Sequence, residues 1–358
     1  MAAGEPVLFD RNENRFGPAP ACLEVLRKAD TELLFNYTRA FRRGAYSDLS
    51  LRLAAMHGVD EHRIILGYGC EDILKEAVHH FVAPDEAVLI PSASWWYYTA
   101  IADEVGGITV QYPLIEEETT YRVDVDALIA QRERHAPALV LIASPNNPTG
   151  NRMPRADLIR VLEAYRDTPV VLDQAYFGLD PDEADDYAEL VARFPRLVIL
   201  RTFSKLFALA GVRIGYGITG TGLADFERFC ARNLGYNRIS ERLALAALDS
   251  PDYYRDIARR MAADRERFYE FFRALPGCRI YDSAANFVLV RMPEHVCPGL
   301  KAVLDEAGLV IKFFTEPAFL GFARISLGTT EENARLLAAI ETAWPAAAAR
   351  VAASGDVA

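Results

Sequence analysis

One lysine in this chain has neighbours suited to covalent amine chemistry. Lys205 stands in Arg201-Thr202-Phe203-Ser204-Lys205-Leu206-Phe207-Ala208-Leu209-Ala210-Gly211-Val212-Arg213. The apolar flanks predict burial, burial disfavours the ammonium, and a depressed pKa is what an imine-forming amine needs. Thr202, Ser204 and Arg213 add two hydroxyls and a guanidinium, a set suited to a phosphate dianion. The plainer reading is a solvated loop lysine beside an ordinary surface arginine. Upstream, Val170-Val171-Leu172-Asp173-Gln174-Ala175-Tyr176 ends a buried apolar run in an acid and places a tyrosine shortly after it. Taken alone, that acid reads as a helix cap. Ser144-Pro145-Asn146-Asn147-Pro148-Thr149-Gly150 is, by turn chemistry alone, a loop.

The elements that must position these residues are short continuous apolar runs. Ala87–Ile90, Ala138–Ile142, Val170–Leu172 and Leu197–Leu200 are too short for amphipathic helices and read as buried strands. Each gives way to polar or glycine-containing residues, and ligands on open α/β sheets sit beyond the carboxyl ends of strands. The alternation with amphipathic stretches predicts an α/β chain with a mostly parallel sheet covered by helices. We expect residues 1–36 to form an arm without a strand, packed on a smaller domain, and residues 37–250 to form the large domain. Residues 251–345 are expected to form that smaller α+β domain, with 346–358 as a fraying tail. A long helical stretch from Tyr253 to Leu275, stopped by Pro276-Gly277, opens the smaller unit.

Composition narrows the function. Lys plus Arg number 39 against 50 Asp plus Glu, a net charge of -11, and no basic run tracks a phosphate backbone, so nucleic acid is excluded as a partner. No apolar stretch reaches the roughly 20 residues of a membrane helix, and the start Met1-Ala2-Ala3-Gly4-Glu5-Pro6 has no signal-peptide pattern. The five cysteines, Cys22, Cys70, Cys230, Cys278 and Cys297, form no CxxC pair. They fit a reducing cytoplasm and supply no metal site.

The order of motifs is more specific than any one of them. Phe9-Asp10-Arg11-Asn12-Glu13-Asn14-Arg15-Phe16-Gly17-Pro18 is followed by Gly67-Tyr68-Gly69-Cys70-Glu71-Asp72, the Asn147-Pro148-Thr149-Gly150 loop, Asp173-x-x-Tyr176, Ser204-Lys205 and Ala323-Arg324-Ile325-Ser326-Leu327-Gly328-Thr329. In this order the chain resembles the class I/II aminotransferases, enzymes of fold-type I that use pyridoxal 5′-phosphate (PLP). It is most similar to their histidinol-phosphate aminotransferase branch. The resemblance spans residues 7–342 and implies a seven-stranded-type sheet in the large domain.

By that resemblance Lys205 holds PLP as a Schiff base and moves the proton at the substrate Cα. Asp173 faces the ring nitrogen, while Tyr176 and Asn147 hydrogen-bond the phenolic oxygen. Thr202, Ser204 and Arg213 hold the phosphate with the backbone of Gly69, Cys70 and Glu71 at a helix start. A dinucleotide loop at Gly67-x-Gly69 is rejected, because the third glycine and the following acid are missing. Trp95, or Trp96 one register away, stacks on the ring face, although an aromatic run of this kind is also ordinary core. Arg324 grips a substrate carboxylate, with Asn147 and Phe16 on the substrate side.

The resemblance also implies a homodimer in which a tyrosine, Tyr37 or Tyr46, reaches the neighbouring subunit's phosphate. Arg39, Arg42 and Arg43 are either a solvated face or the mouth of the substrate site. Two departures bear on the substrate: the N-terminal arm is short, and Lys312 stands where that branch has a second arginine. The expected reaction is amino-group transfer from an α-amino acid or related primary amine to a 2-oxo acid. A decarboxylase, lyase or oxidase on the same scaffold is the alternative, and a PLP-binding regulator ranks last because no DNA-binding module is attached.

Overall fold

Successive residues of the central apolar runs enter two different hydrophobic clusters, as a strand buried on both faces requires. Val170 and Leu172 pack into one cluster and Val171 into the other, and Val140 and Leu141 part in the same way. The computed structural model describes residues 5–38, 46–181 and 186–349. In chain order its strands are β1 (Val7–Phe9), β2 (Ile64–Gly67), β3 (Ala87–Pro91), β4 (Ile108–Tyr112), β5 (Leu114–Glu116), β6 (Tyr121–Val123) and β7 (Leu139–Ala143). There follow β8 (Val170–Asp173), β9 (Leu197–Thr202), β10 (Gly215–Thr219), β11 (Arg279–Tyr281), β12 (Phe287–Arg291), β13 (Leu309–Phe313) and β14 (Phe322–Ser326).

The seven-stranded sheet has the order β2-β10-β9-β8-β7-β3-β4. The pairs β9–β8, β8–β7, β7–β3 and β3–β4 are parallel, while β10 runs antiparallel to both β9 and β2. Ala143 pairs with Asp173, so the carboxyl ends of β7 and β8 lie side by side next to that of β9. The four strands read from the sequence are present; β2, β4 and β10 are the three that the apolar runs do not reveal. β10 is Gly215-Tyr216-Gly217-Ile218-Thr219, and glycine weakens any strand signal. A Cβ on Gly215 would lie 2.4 Å from the Cys70 backbone nitrogen, so the missing side chain lets β10 pass directly under the helix start at Cys70.

The five-stranded sheet has the order β1-β13-β14-β12-β11. Here the expectation of an arm without a strand is corrected, since β1 pairs in parallel with β13. Three residues are too short a run to show a period, and only the exposed edge of β13 makes them a strand. The helix Pro251–Ala274 buries Tyr254, Ile257, Ala258, Met261, Phe268 and Phe272 on one face, the helical spacing the sequence displays. The last helix, Thr330–Ala349, runs past the point where fraying was expected to begin at 346; residues 350–358 lie outside the described residues.

Candidate active site

The sheet's carboxyl edge opens into a cavity of about 310 Å³. Of the residues singled out from the sequence, Gly69, Cys70, Glu71, Trp95, Asn147, Asp173, Tyr176, Thr202, Ser204, Lys205, Arg213 and Arg324 line it. They come from turns after β2, β3, β7, β8 and β9 and, across the cavity, from β14 of the other sheet.

At one end the helix Cys70–Phe81 begins at Gly69 (φ +87°) with no side-chain cap on its first N–H groups. Uncapped N–H groups and the helix dipole make an anion site. Arg213 lies across this helix start: its Nη2 donates to Tyr68 O at 3.1 Å and to Glu71 Oε2 at 3.2 Å. A Cβ on Gly69 would come within 2.8 Å of that Nη2, so glycine is required by the arginine as well as by the turn. Thr202 and Ser204, both buried, complete this end, Thr202 Oγ1 accepting from Ser204 N at 3.1 Å. Burial pushes the Cys70 thiol well up, so it is an inert neutral group here.

Asp173 ends β8 and is buried. Its Oδ2 accepts from Tyr98 Oη at 2.8 Å and its Oδ1 from the Ala175 N–H at 2.9 Å. Burial raises its pKa, opposed by those two hydrogen bonds and by the charge of Lys205. Both direct donors are neutral, so a cation placed against this carboxylate would relieve its desolvation. Tyr98 went unremarked within the aromatic run, because nothing in a sequence tells which ring of such a run turns inward. Trp95 lines the cavity, whereas Trp96 is 70 % exposed.

Lys205 Nζ donates to the Asn12 carbonyl at 3.1 Å and lies 5.6 Å from the centre of the Tyr176 ring. Burial, followed by the positive charge of Arg324, lowers its pKa to about 8. Tyr176 Oη accepts from Asn12 Nδ2 at 2.9 Å, and burial pushes its phenol up to about 12. Arg324 donates from Nη1 to Asn147 Oδ1 and from Nη2 to Asp10 O, each at 2.6 Å, and its buried Nε has no partner. A guanidinium so held is preorganised toward a planar anion. Asn12, to which the sequence motif assigns no chemistry, touches both Lys205 and Tyr176.

Two expected substrate-side positions, Phe16 and Lys312, are not brought to the cavity wall. Phe16 packs against the main core, because Asn14 Oδ1 accepts the Phe16 N–H at 3.1 Å and the following turn at Gly17 (φ +81°) leads the chain away. Lys312 is paired in register with Arg324 but sets its ammonium 5.5 Å from the Phe314 ring centre. Tyr37 is 64 % exposed, and Tyr46 lines a second cavity. Arg39, Arg42 and Arg43 fall outside the described residues. Among the described residues no His, Cys, Asp and Glu group could hold a metal ion, and no helix is long and apolar enough to cross a membrane.

The family described as aminotransferase class I and II matches residues 5–340. A histidinol-phosphate aminotransferase 2 of Archaeoglobus fulgidus is 31% identical over 337 residues, covering 94% of this chain and 92% of that protein. A protein of the same name from Ralstonia nicotianae is 33% identical over 347 residues, covering 96% and 90%. The crystal structure of histidinol-phosphate aminotransferase from Sinorhizobium meliloti in complex with pyridoxal-5′-phosphate superposes with a TM-score of 0.84 at 28% identity, covering 96% of this chain and 92% of that one. The chain belongs to the class I and II aminotransferases and has their fold-type I architecture. Within them it is of the histidinol-phosphate aminotransferase-like branch. It is a PLP-dependent aminotransferase acting on small amino and oxo-acid substrates.

Proposed function

We propose that this cavity transfers the amino group of an α-amino acid, or a related primary amine bearing an acidic group, to a 2-oxo acid, with Lys205 as the cofactor-holding amine. The observation that carries the reading is the convergence of Lys205, Asp173, Asn147, Tyr176, Arg213 and Arg324 from both sheets on one cavity. When bound, PLP supplies an aldehyde that captures an amine and a conjugated ring that accepts the electron pair left at the substrate Cα. The residues fit it. The uncapped helix start, Arg213, Thr202 and Ser204 offer donors to the phosphate, and Asp173 offers the ring nitrogen the carboxylate that lacks a charged donor.

The remaining roles are those that the family resemblance implies for residues lining this cavity. Trp95 covers a ring face, and Asn147 and Tyr176 serve the phenolic oxygen. Lys205, whose burial holds its amine below the ordinary lysine pKa, is the base for the proton at the substrate Cα. Arg324 exchanges its contacts with Asn147 and Asp10 for the substrate's acidic group. One preorganised guanidinium matches a carboxylate monoanion. A phosphate ester calls for a second, and Lys312 is set against Phe314. We therefore expect free amino acids to be preferred over histidinol phosphate.

The functional unit we propose is a homodimer in a reducing cytoplasm. Leu34, Phe35 and Tyr37 are 76 %, 69 % and 64 % exposed. Thr38 Oγ1 donates to Tyr236 O, and Tyr236 packs on Tyr68 beside the helix start that we assign to the phosphate. Exposed apolar side chains of this kind are what a partner subunit would cover, and Tyr37 or Tyr46 is the residue that crosses. The five cysteines are all free, in keeping with that compartment. The test is a panel of amine donors with a 2-oxo acid acceptor, scored by products. One 2-oxo acid formed per new amino acid supports the reading; carbon dioxide, free ammonia or peroxide in stoichiometric amount overturns it.

A further inference from the structure

Asn12 is 2 % exposed, has a left-handed backbone (φ +54°) and makes a hydrogen bond with each of its polar atoms. The Asn12 backbone N–H can only donate, and Ser326 Oγ accepts it at 2.8 Å. Ser326 has a single hydroxyl proton, and it goes to Asn12 Oδ1 at 3.0 Å. In the opposite amide orientation Ser326 Oγ would accept from both Asn12 N and Nδ2 and its own proton would have no other acceptor among the described residues, so the oxygen end stays on Ser326 and the nitrogen end faces Tyr176 Oη at 2.9 Å. An amide NH₂ donates and does not accept. Tyr176 Oη is therefore an acceptor toward Asn12, and its own proton points elsewhere. Among the described residues no protein acceptor takes that proton, and Tyr176 lines the cavity.

We propose that Asn12 is a positioning residue that sets the polarity of Tyr176, so that the phenol is presented to the cofactor's phenolic oxygen as a donor. This rests on the role given to Tyr176 above. A donor there favours the ionised phenolic oxygen and so lowers the pKa of the imine nitrogen beside it. The same residue anchors the amine, since the Asn12 carbonyl accepts from Lys205 Nζ at 3.1 Å and from Asn286 Nδ2 at 3.0 Å. A role confined to tying the N-terminal segment to β14 would need the Ser326 contacts but not the sense of the Tyr176 bond.

The experiment is a pH titration of the visible absorbance of the cofactor-bound protein, without substrate, with melting curves to show that each variant is folded. Tyr176→Phe tests the parent reading and should raise the titration midpoint. Asn12→Asp puts an acceptor where the amide donates, turns the phenol proton away from the cavity, and should raise the midpoint by about one pH unit, the scale of one charge-assisted hydrogen bond. In the Tyr176→Phe background Asn12→Asp should add nothing. Ser326→Ala, which releases the amide to rotate, should move the midpoint in the same direction by less, again only with Tyr176 present. This second variant carries the test if Asn12→Asp does not fold. If Tyr176→Phe shifts the midpoint and neither Asn12→Asp nor Ser326→Ala does, the inference is overturned and the Tyr176 role stands. A shift by Asn12→Asp that persists without the phenol also overturns it, as a direct effect of charge. No shift in Tyr176→Phe removes the parent reading and the inference with it.

Discussion

Replacing Arg324 by lysine separates a preorganised fork from a mere positive charge. The guanidinium is held before any substrate arrives, by Asn147 Oδ1 on Nη1 and Asp10 O on Nη2, and both partners are neutral acceptors that a carboxylate can displace. A lysine ammonium keeps the charge but reaches only one carboxylate oxygen with good geometry. The loss is one charge-assisted hydrogen bond, about 1.5–3 kcal/mol. At about 1.4 kcal/mol per factor of ten, that raises KM for the amine donor roughly 10- to 150-fold. Because the fork grips the substrate in ground and transition states alike, kcat should fall far less than KM rises. The assay is steady-state kinetics with the donor varied at saturating acceptor, beside a cofactor absorbance spectrum and a melting curve. A KM within about threefold of the unmodified enzyme, with the spectrum intact, would refute the assignment, as would a variant that loses the cofactor while keeping its donor affinity.

Lys205→Ala is expected to abolish turnover, and borohydride reduction followed by peptide mapping should place the cofactor on Lys205; a label on Lys75 or Lys312 would contradict this. Asp173→Asn should retain cofactor yet lose well over tenfold in kcat, more than about 1.4 kcal/mol of barrier. Tyr98→Phe, which removes one of the two direct donors to that carboxylate, should lower kcat in the same direction by less; a larger loss than Asp173→Asn would count against it. The fourth expectation concerns pH. Lys205 has a folded pKa of about 8 against an ordinary 10.5, so between these values the unfolded chain binds more protons and stability rises with pH. Below pH 8 the full penalty of burying the charge is present. In the cofactor-free protein the difference in stability from Lys205→Met should therefore change across pH 8–10.5, and parallel curves would show that Lys205 is not buried as described. Competition between histidinol phosphate and a panel of free amino acids should favour the amino acids.

Much of the site was legible because each chemical residue follows a recognisable strand. Val170–Leu172 and Leu197–Leu200 are continuous apolar runs, so the sequence alone places Asp173 and the Lys205 segment at carboxyl ends. What escaped notice had no period to betray it. β1 is three residues long and becomes a strand only on the edge of β13, and β10 carries two glycines, of which Gly215 leaves the room that the helix start at Cys70 fills. Phe16 shows the opposite error: it stands in a motif, but an Asn14 turn directs it into the core.

The sequence by itself determined the kind of chemistry, since the residue types and their order already call for a covalent amine, a phosphate cradle and an anion-binding arginine. Tertiary structure decided which groups meet. Tyr98 against Asp173, Asn12 against Tyr176 and Lys205, and Arg324 against Asn147 join residues far apart in the chain. Local pattern carries the burial and direction of a side chain along its own strand or helix. Which distant partner completes its hydrogen bonds depends on how two sheets pack across a cavity, and no local period encodes that.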